Sequence, residues 1–285
     1  MNQKSVSGGL GVKGRRTVSY IVLAIVSFLC LFWFYVLFIN CTRSHSELTK
    51  GFTILPSSHA LENLYNIFHG SLPVLQGMIN SLIIAAASAI LTTYFSAMTA
   101  YAIHAYDFKL KKFMFTFILL IMTIPTQCNA LGFIKLVDKL GMDDTFWPLI
   151  IPSIAAPVTF FYIKQYMDSA LPLSLVEAAR IDGSGEFRTF NSIVLPLLKP
   201  AIAVQAIFSF VGSWNNYFTP ALILHTNEKK TLPILLAQLR GADFLKFDMG
   251  QVYMMIAFSI FPVILVYLLL SKHIVQGVAL GGVKG

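Results

Sequence analysis

The chain is predicted to be all-α, a polytopic membrane protein with six transmembrane helices. Three observations carry this. Of the 285 residues, 56% are hydrophobic and only 12% are charged, about half the charge of a soluble domain, and mean hydropathy is +0.71. Apolar runs recur at about twenty residues, the length of helix that crosses a hydrocarbon layer. Basic residues fall mainly on alternate connecting segments, as expected when loops lie on opposite sides of a bilayer.

The first span is the run from Tyr20 to Ile39, preceded by Lys4, Lys13, Arg15 and Arg16. It is too long for a signal-peptide core, and Asn40 before Cys41 fits a lipoprotein cleavage site poorly, so it is expected to be an uncleaved anchor. The polar stretch from His45 to Ser71 is expected to be a surface loop. The second span, Asn80–Ala105, is rich in alanine and serine, which suits close helix packing. The third, Phe113–Val137, is interrupted at Pro125. The fourth, fifth and sixth are Phe146–Tyr166, Leu197–Leu222 and Gln251–Ser271. Between the last two, Leu232, Leu235, Leu236 and Leu239 recur at helical spacing, predicting a short helix on the outer surface. The organisation is thus residues 1–79 as tail, first span and outer loop, 80–271 as the core of spans two to six, and 272–285 as a C-terminal tail.

With both termini placed in the cytoplasm, thirteen lysines and arginines stand against five acids on the inside. Outside, eight stand against eight, so the whole net charge of +8 lies on one face. Nucleic-acid binding is not needed to explain it. Cys30, Cys41 and Cys128 form no disulfide framework and have no zinc spacing. The six histidines show no metal-ligand pair on a helix. There is no phosphate loop of the G-x-x-x-x-G-K-[ST] kind and no nucleophile–base pair, so the chain is expected to be neither an ATPase nor another enzyme.

Between the fourth and fifth spans lies Leu171–Pro200, with Glu177, Arg180, Asp182, Glu186, Arg188 and Lys199. That charge keeps it out of hydrocarbon. Ser174 followed by Glu177 predicts a capping box. Gly183 ends that helix, Ser184 caps a second, and Pro196 falls in the first turn of the next span. A helix–turn–helix just outside the membrane is the result.

Within it, Glu177-Ala178-Ala179, three residues, Gly183, nine residues, Ile193, one residue and Leu195-Pro196 resembles the EAA motif of bacterial ABC-importer permeases. Arg180, Ile181, Asp182 and Lys199-Pro200 make it similar to the carbohydrate-importer branch, of the maltose-permease type. Asn80-Ser81, Trp214-Asn215 and a tail with Gly277, Gly281, Gly282 and Lys284 add weaker likeness. The resemblance implies a multi-pass protein of the bacterial inner (cytoplasmic) membrane. It implies a second homologous permease subunit, two ATPase subunits, an extracytoplasmic solute-binding protein and a sugar substrate. No cofactor is expected on this chain, ATP and Mg being held by the partner ATPase. Glu177, Ala178, Ala179, Arg180, Asp182, Gly183, Ile193, Leu195 and Pro196 would form the cytoplasmic coupling helix and its support. The outer helix would receive the binding protein or merely cap the bundle. The tail would touch the ATPase pair or form a loose end.

Polar residues at membrane depth are candidates for the sugar path. Gln127 and Asn129 follow Pro125, and Trp214, Asn215, Asn216 and Tyr217 interrupt the fifth span. Amides exchange hydrogen bonds with hydroxyls, and flat rings stack on the apolar face of a pyranose. The alternative role is to bond neighbouring helices, with Trp214 a belt residue at the interface. At Asn216 many relatives carry an acid. No ionisable group lies deep in the spans, which disfavours an ion-coupled secondary transporter. Glycerol phosphate as cargo would call for arginine or lysine on the path.

Overall fold

The computed structural model describes residues 9–241 and 247–281, and among these there are helices and no strands. Gly282 and Lys284 of the tail therefore lie outside the described residues. The chain divides into two compact units, 1–69 with 242–258 and 70–241 with 259–285.

In the first unit, α1 (Gly9–Asn40) contains the predicted first span, and its apolar side chains, Leu29, Leu31 and Trp33 among them, are exposed as a lipid-facing helix requires. The polar stretch after it is more than a loop. It forms α2 (His45–Thr49) and α3 (Ala60–His69). Ser44 caps α2 through a full capping box with Glu47. Arg43 is buried and donates to the carbonyls of Glu47 at 2.6 Å and Gly51 at 3.1 Å. The Asn63 amide donates to the carbonyls of Cys41 and Arg43 at 3.0 and 2.9 Å. Capping and buried polar bonds supply the order that hydropathy alone does not reveal.

The second unit is built around α4 (Val74–Ala105). Its buried face is mostly small: Gly77, Ser81, Ala85, Ser88, Ala89, Thr92, Ser96, Ala97 and Ala100. Small side chains let neighbouring backbones approach closely. α5 (Lys111–Ile121) ends before Pro125, a 3₁₀ turn covers Thr126–Asn129, and α6 (Ala130–Lys139) follows, so the third run is broken where proline predicts.

The fourth run, expected to be continuous, is also broken. It comprises α7 (Trp147–Ile150), a 3₁₀ turn over Ile151–Ile154 and α8 (Pro157–Ala170). Ala155 and Ala156 leave the helical region with ψ of 80° and 85°, and Ala156 is the residue that Pro157 disfavours from helix. The hydroxyls of α4 serve the carbonyls of this irregular stretch. Thr92 Oγ1 donates to Ser153 O at 2.8 Å and Ser88 Oγ to Leu149 O at 3.4 Å.

The charged segment follows as α9 (Leu173–Ile181), α10 (Glu186–Thr189), a π-helical turn over Phe190–Val194 and α11 (Leu195–Leu197). α12 (Lys199–Trp214) then packs along α4, with α8 as the other main neighbour of that helix. The fifth run is thus shorter than expected and is continued, after a break at 215–217, by α13 (Phe218–Ile223). α14 (Leu232–Arg240) is the helix that the leucine spacing predicts. It lies against α4, where a Cβ on Gly77 would collide with Leu235 Cδ1. Asn80 donates to the carbonyls of Glu228 and Lys230, and Ser81 accepts from the Leu232 amide. α15 (Met249–Gly281) contains the run expected to be the sixth span and continues as helix into the tail.

Gly14–Asn40, Val74–Ala105, Trp147–Ala170 and Met249–Lys272 are each long and apolar enough to cross a membrane, which makes this a multi-pass membrane protein. A further candidate is the pair Glu186–Leu197 and Lys199–Trp214, bent by 82° at Leu198.

Candidate functional site

The charged hairpin departs from its predicted caps at both helix starts. α9 begins at Pro172, not Ser174: Pro172 holds φ −64° and ψ 133° as N-cap, and Ser174 lies inside the first turn. The fixed φ of proline and its extended ψ start the helix two residues early, without a side-chain cap. Gly185, with ψ 151°, is the N-cap of α10. Ser184 instead accepts a hydrogen bond from Thr189 Oγ1 at 3.0 Å. The stop is as expected. Gly183 has φ +76°, the Ser184 amide donates to Ala179 O at 2.9 Å and the Gly183 amide to Arg180 O at 3.0 Å, which is the Schellman pattern.

Side chains lock the hairpin to α4. Arg180 Nε meets Glu186 Oε1 at 2.7 Å, and Glu186 Oε2 accepts from Tyr101 of α4 at 3.0 Å. The Arg180 guanidinium sits 5.1 Å from the centre of the Tyr106 ring. The bond to Glu186 raises the arginine pKa further. Beneath, Val176, Phe190, Val194 and Leu198 are buried with Tyr101, Ile163 and Met167 in one apolar cluster. Leu195 packs against that cluster, and Ile193 is half-buried. Pro196 is exposed in the first turn of α11. Ala179 is buried, whereas Glu177, Ala178, Asp182 and Gly183 are exposed.

Phe187, which the sequence reading did not single out, and Ile181, named there only for its likeness to the carbohydrate-importer branch, project from this surface. Ile181 is 86% exposed and Phe187 71% exposed, apolar groups in an otherwise charged hairpin. Their signal in the sequence is hydrophobicity where the helix periodicity calls for polar residues.

The second feature is a cavity of about 620 Å³ beside α4. Asn129 and Asn216 both line it, together with Ser88 and Thr92 of α4, Ser153 and Thr159 of the broken fourth run, and Ser209, Ser213 and Thr219. Among the described residues, no lysine, arginine, aspartate or glutamate is in its wall. Its surface offers hydroxyls and amides, which can donate and accept, beside apolar Phe133, Phe218 and Leu222.

The other four nominated residues are elsewhere. Trp214 is buried and stacks on Phe210 at 5.8 Å with an interplanar angle of 15°. Asn215 is the exposed C-cap residue of α12. Gln127 is exposed in the 3₁₀ turn, outside the cavity wall. Tyr217 borders a smaller cavity with His225, Lys230 and Gln238. Conversely, Ser209, Gly212 and Ser213 share one face of α12 at i, i+3 and i+4, and with Asn216, just past its end, they line the cavity. That spacing is visible in the sequence once small residues are counted as polar lining.

Comparison with known proteins agrees with this architecture. Residues 94–280 match the family model described as "Binding-protein-dependent transport system inner membrane component". The chain is 34% identical over 266 residues to the arabinooligosaccharides transport system permease protein AraQ of Bacillus subtilis (strain 168), covering 91% of this chain and 92% of that protein. It is 34% identical to the galactooligosaccharides transport system permease protein GanQ of the same organism, covering 82% and 83%. The fold is similar to a chain in the crystal structure of a bacterial ABC transporter involved in import of the acidic polysaccharide alginate. That match has TM-score 0.76 and 21% identity, and covers 95% of this chain and 99% of the other. Alternating small and apolar faces, a clamped EAA hairpin and these matches lead to one conclusion: the chain belongs to the binding-protein-dependent transport system inner membrane components and is a permease of the ABC-importer type.

Proposed function

We propose that this permease carries a neutral oligosaccharide across the bacterial cytoplasmic membrane by alternating access, driven by ATPase subunits docked on its hairpin. The observation that carries this is that one helix, α4, serves both features. Tyr101 holds Glu186 of the hairpin, and Thr92 lines the cavity nine residues away, roughly 14 Å along the helix. Movement of the hairpin is transmitted to the cavity wall through a rigid element.

The uncharged, hydroxyl-rich wall favours a neutral sugar. A phosphate or carboxylate cargo would call for a cationic partner, and among the described residues none lines the cavity. Relatives whose names specify arabinooligosaccharides and galactooligosaccharides support this cargo class. The working assembly is this chain, a homologous permease, two ATPase subunits holding ATP and Mg, and an extracytoplasmic binding protein. The hairpin and both termini face the cytoplasm in this reading, supported by the segregation of basic residues.

Proteoliposomes holding the complete complex test it. Uptake of a labelled neutral oligosaccharide should require both ATP and the binding protein, and should survive collapse of ion gradients. Uptake that persists without the ATPase and stops with the ion gradient would instead identify a secondary transporter.

A further inference from the structure

The segment after α2 is tied down on both sides of a short apolar loop. On one side the Gly51 carbonyl accepts from buried Arg43 at 3.1 Å. On the other, the Ser57 amide donates to Thr42 Oγ1 and the His59 amide to Thr42 O, both at 2.9 Å. Thr42 and Arg43 lie just beyond Asn40, the last residue of α1. Between these ties the chain runs back along α1. The Tyr35 hydroxyl donates to Ile54 O at 2.6 Å, and the Phe52 ring lies 6.5 Å from that of Phe32. Phe32 is eight residues, roughly 12 Å, before the end of the helix. The loop is thus a finger that points back toward the membrane.

Its tip is apolar and uncharged. Phe52, Ile54 and Leu55 are 66%, 54% and 68% exposed, while Lys50 and Ser58 are exposed at its base. Large apolar groups gathered on one loop call for a cover, and the level of the tip says which. Trp33 and Tyr35 stand beside it on α1 with their rings exposed, and tryptophan and tyrosine collect at membrane–water boundaries. Arg16, the last cation before the apolar run, is nineteen residues from Tyr35. That is roughly 28 Å of helix, against about 30 Å of hydrocarbon. With Arg16 at one headgroup boundary, Tyr35 falls at the other, and the finger continues the lipid-facing surface of α1. Irregular backbone cannot serve all its own polar groups in hydrocarbon, so the loop stops at this level and only its side chains go deeper. Tyr35 serves Ile54 O, and Thr53 Oγ1 accepts from the Leu55 amide at 3.2 Å.

We propose that the 51–56 finger is an interfacial anchor. Phe52, Ile54 and Leu55 seat among the acyl chains of the leaflet in which α1 ends, and the ties at Thr42 and Arg43 fix the depth of that helix. The tip carries no charge, so it takes acyl chains whatever their headgroup. The anchor does not depend on the cargo.

The test replaces Leu55 with photoreactive benzoylphenylalanine in the assembled complex, reconstituted in phosphatidylcholine liposomes. Irradiation should add the mass of one phosphatidylcholine to the chain, read by mass spectrometry. The same group at Ser58, between the tied residues Ser57 and His59, should give severalfold less of this adduct. Liposomes of phosphatidylglycerol should label position 55 to the same extent. Equal lipid labelling at positions 55 and 58 would show lipid nearby without insertion of the tip, and would overturn the anchor. A crosslink from position 55 to another subunit would assign the tip to a protein interface, and no adduct at all would leave it in water; either result overturns it. The readout needs neither ATP nor uptake, so its failure is distinct from failure of the sugar-transport reading.

Discussion

The Thr92 hydroxyl donates at 2.8 Å to the carbonyl of Ser153, the group that a continuous helix would have bonded to residue 157. Residue 157 is proline and has no N–H to give. Thr92 therefore stabilises a break in one helix from the face of another, and both residues line the uncharged cavity. Thr92→Val should orphan that carbonyl and destabilise the protein by about 1–2 kcal/mol, whereas Thr92→Ser should be nearly neutral. Thermal unfolding of the detergent-solubilised complex distinguishes them, and equal midpoints for the two variants would show that the carbonyl has another donor.

The Arg180–Glu186–Tyr101 chain makes a prediction of a different kind. The ion pair is partly exposed, so Glu186→Gln should change stability by less than about 1 kcal/mol. Transport should suffer more, because the variant loosens the hairpin from α4. The ratio of ATP hydrolysed to sugar imported should rise severalfold in proteoliposomes. An unchanged ratio would show that the hairpin needs no such lock.

Gly183 separates strain from bulk. A Cβ there would meet no atom within 4 Å, yet φ is +76°. Gly183→Ala should thus cost about 1–2 kcal/mol from backbone strain alone. Gly183→Pro cannot adopt that φ and should remake the turn. Copurification of the ATPase subunits should persist with alanine and fail with proline.

At Gly77 bulk dominates. Gly77→Ala should destabilise by about 1–3 kcal/mol through overpacking against buried Leu235. Adding Leu235→Ala should recover part of that loss in a double-mutant cycle, and strict additivity would mean the two side chains do not compete for one space.

Asp144 links the loop before α7 to the one after α13. Its carboxylate accepts from Thr226 Oγ1 at 2.5 Å, the amides of His225 and Thr226 at 2.9 and 3.1 Å, and Lys229 Nζ at 3.0 Å. The Thr226 hydroxyl foremost, with the His225 amide and Lys229, holds this carboxyl well below the ordinary range. A depressed pKa stabilises the fold above the unfolded value of about 3.9 and loses that contribution as pH falls through the folded value. Asn tolerates the backbone φ of 54° at this position. Asp144→Asn should therefore cost about 1–2 kcal/mol at neutral pH, and the gap between variant and wild type should narrow below about pH 4. A gap independent of pH would exclude the charge as its origin.

Hydropathy and the EAA spacing made much of this molecule legible. The helical class, the break at Pro125, the glycine stop at 183 and the leucine-spaced α14 all follow from local chemistry. What escaped was set by contacts between distant segments. The fourth run reads as one span because its apolar residues conceal three prolines whose cost α4 hydroxyls offset. Ser174 and Ser184 look like caps, yet Pro172 and Gly185 take those places through their backbone angles. Among the amides, the end of α12 decides. Asn216, just past that end, lines the cavity with Ser209 and Ser213, while Asn215, the exposed C-cap residue, is outside its wall.

The 82° bend at Leu198 joins two stiff arms, one reaching to the charged hairpin and the other running beside the cavity. Leu198 itself has no exposed surface, so its side chain is held by packing on every side. Two rods meeting near a right angle form a bell crank. Thrust along one arm would arrive at the other as sideways sweep, so under the proposed function a partner that only pulls and pushes on the hairpin would widen or narrow the cavity beside the second arm.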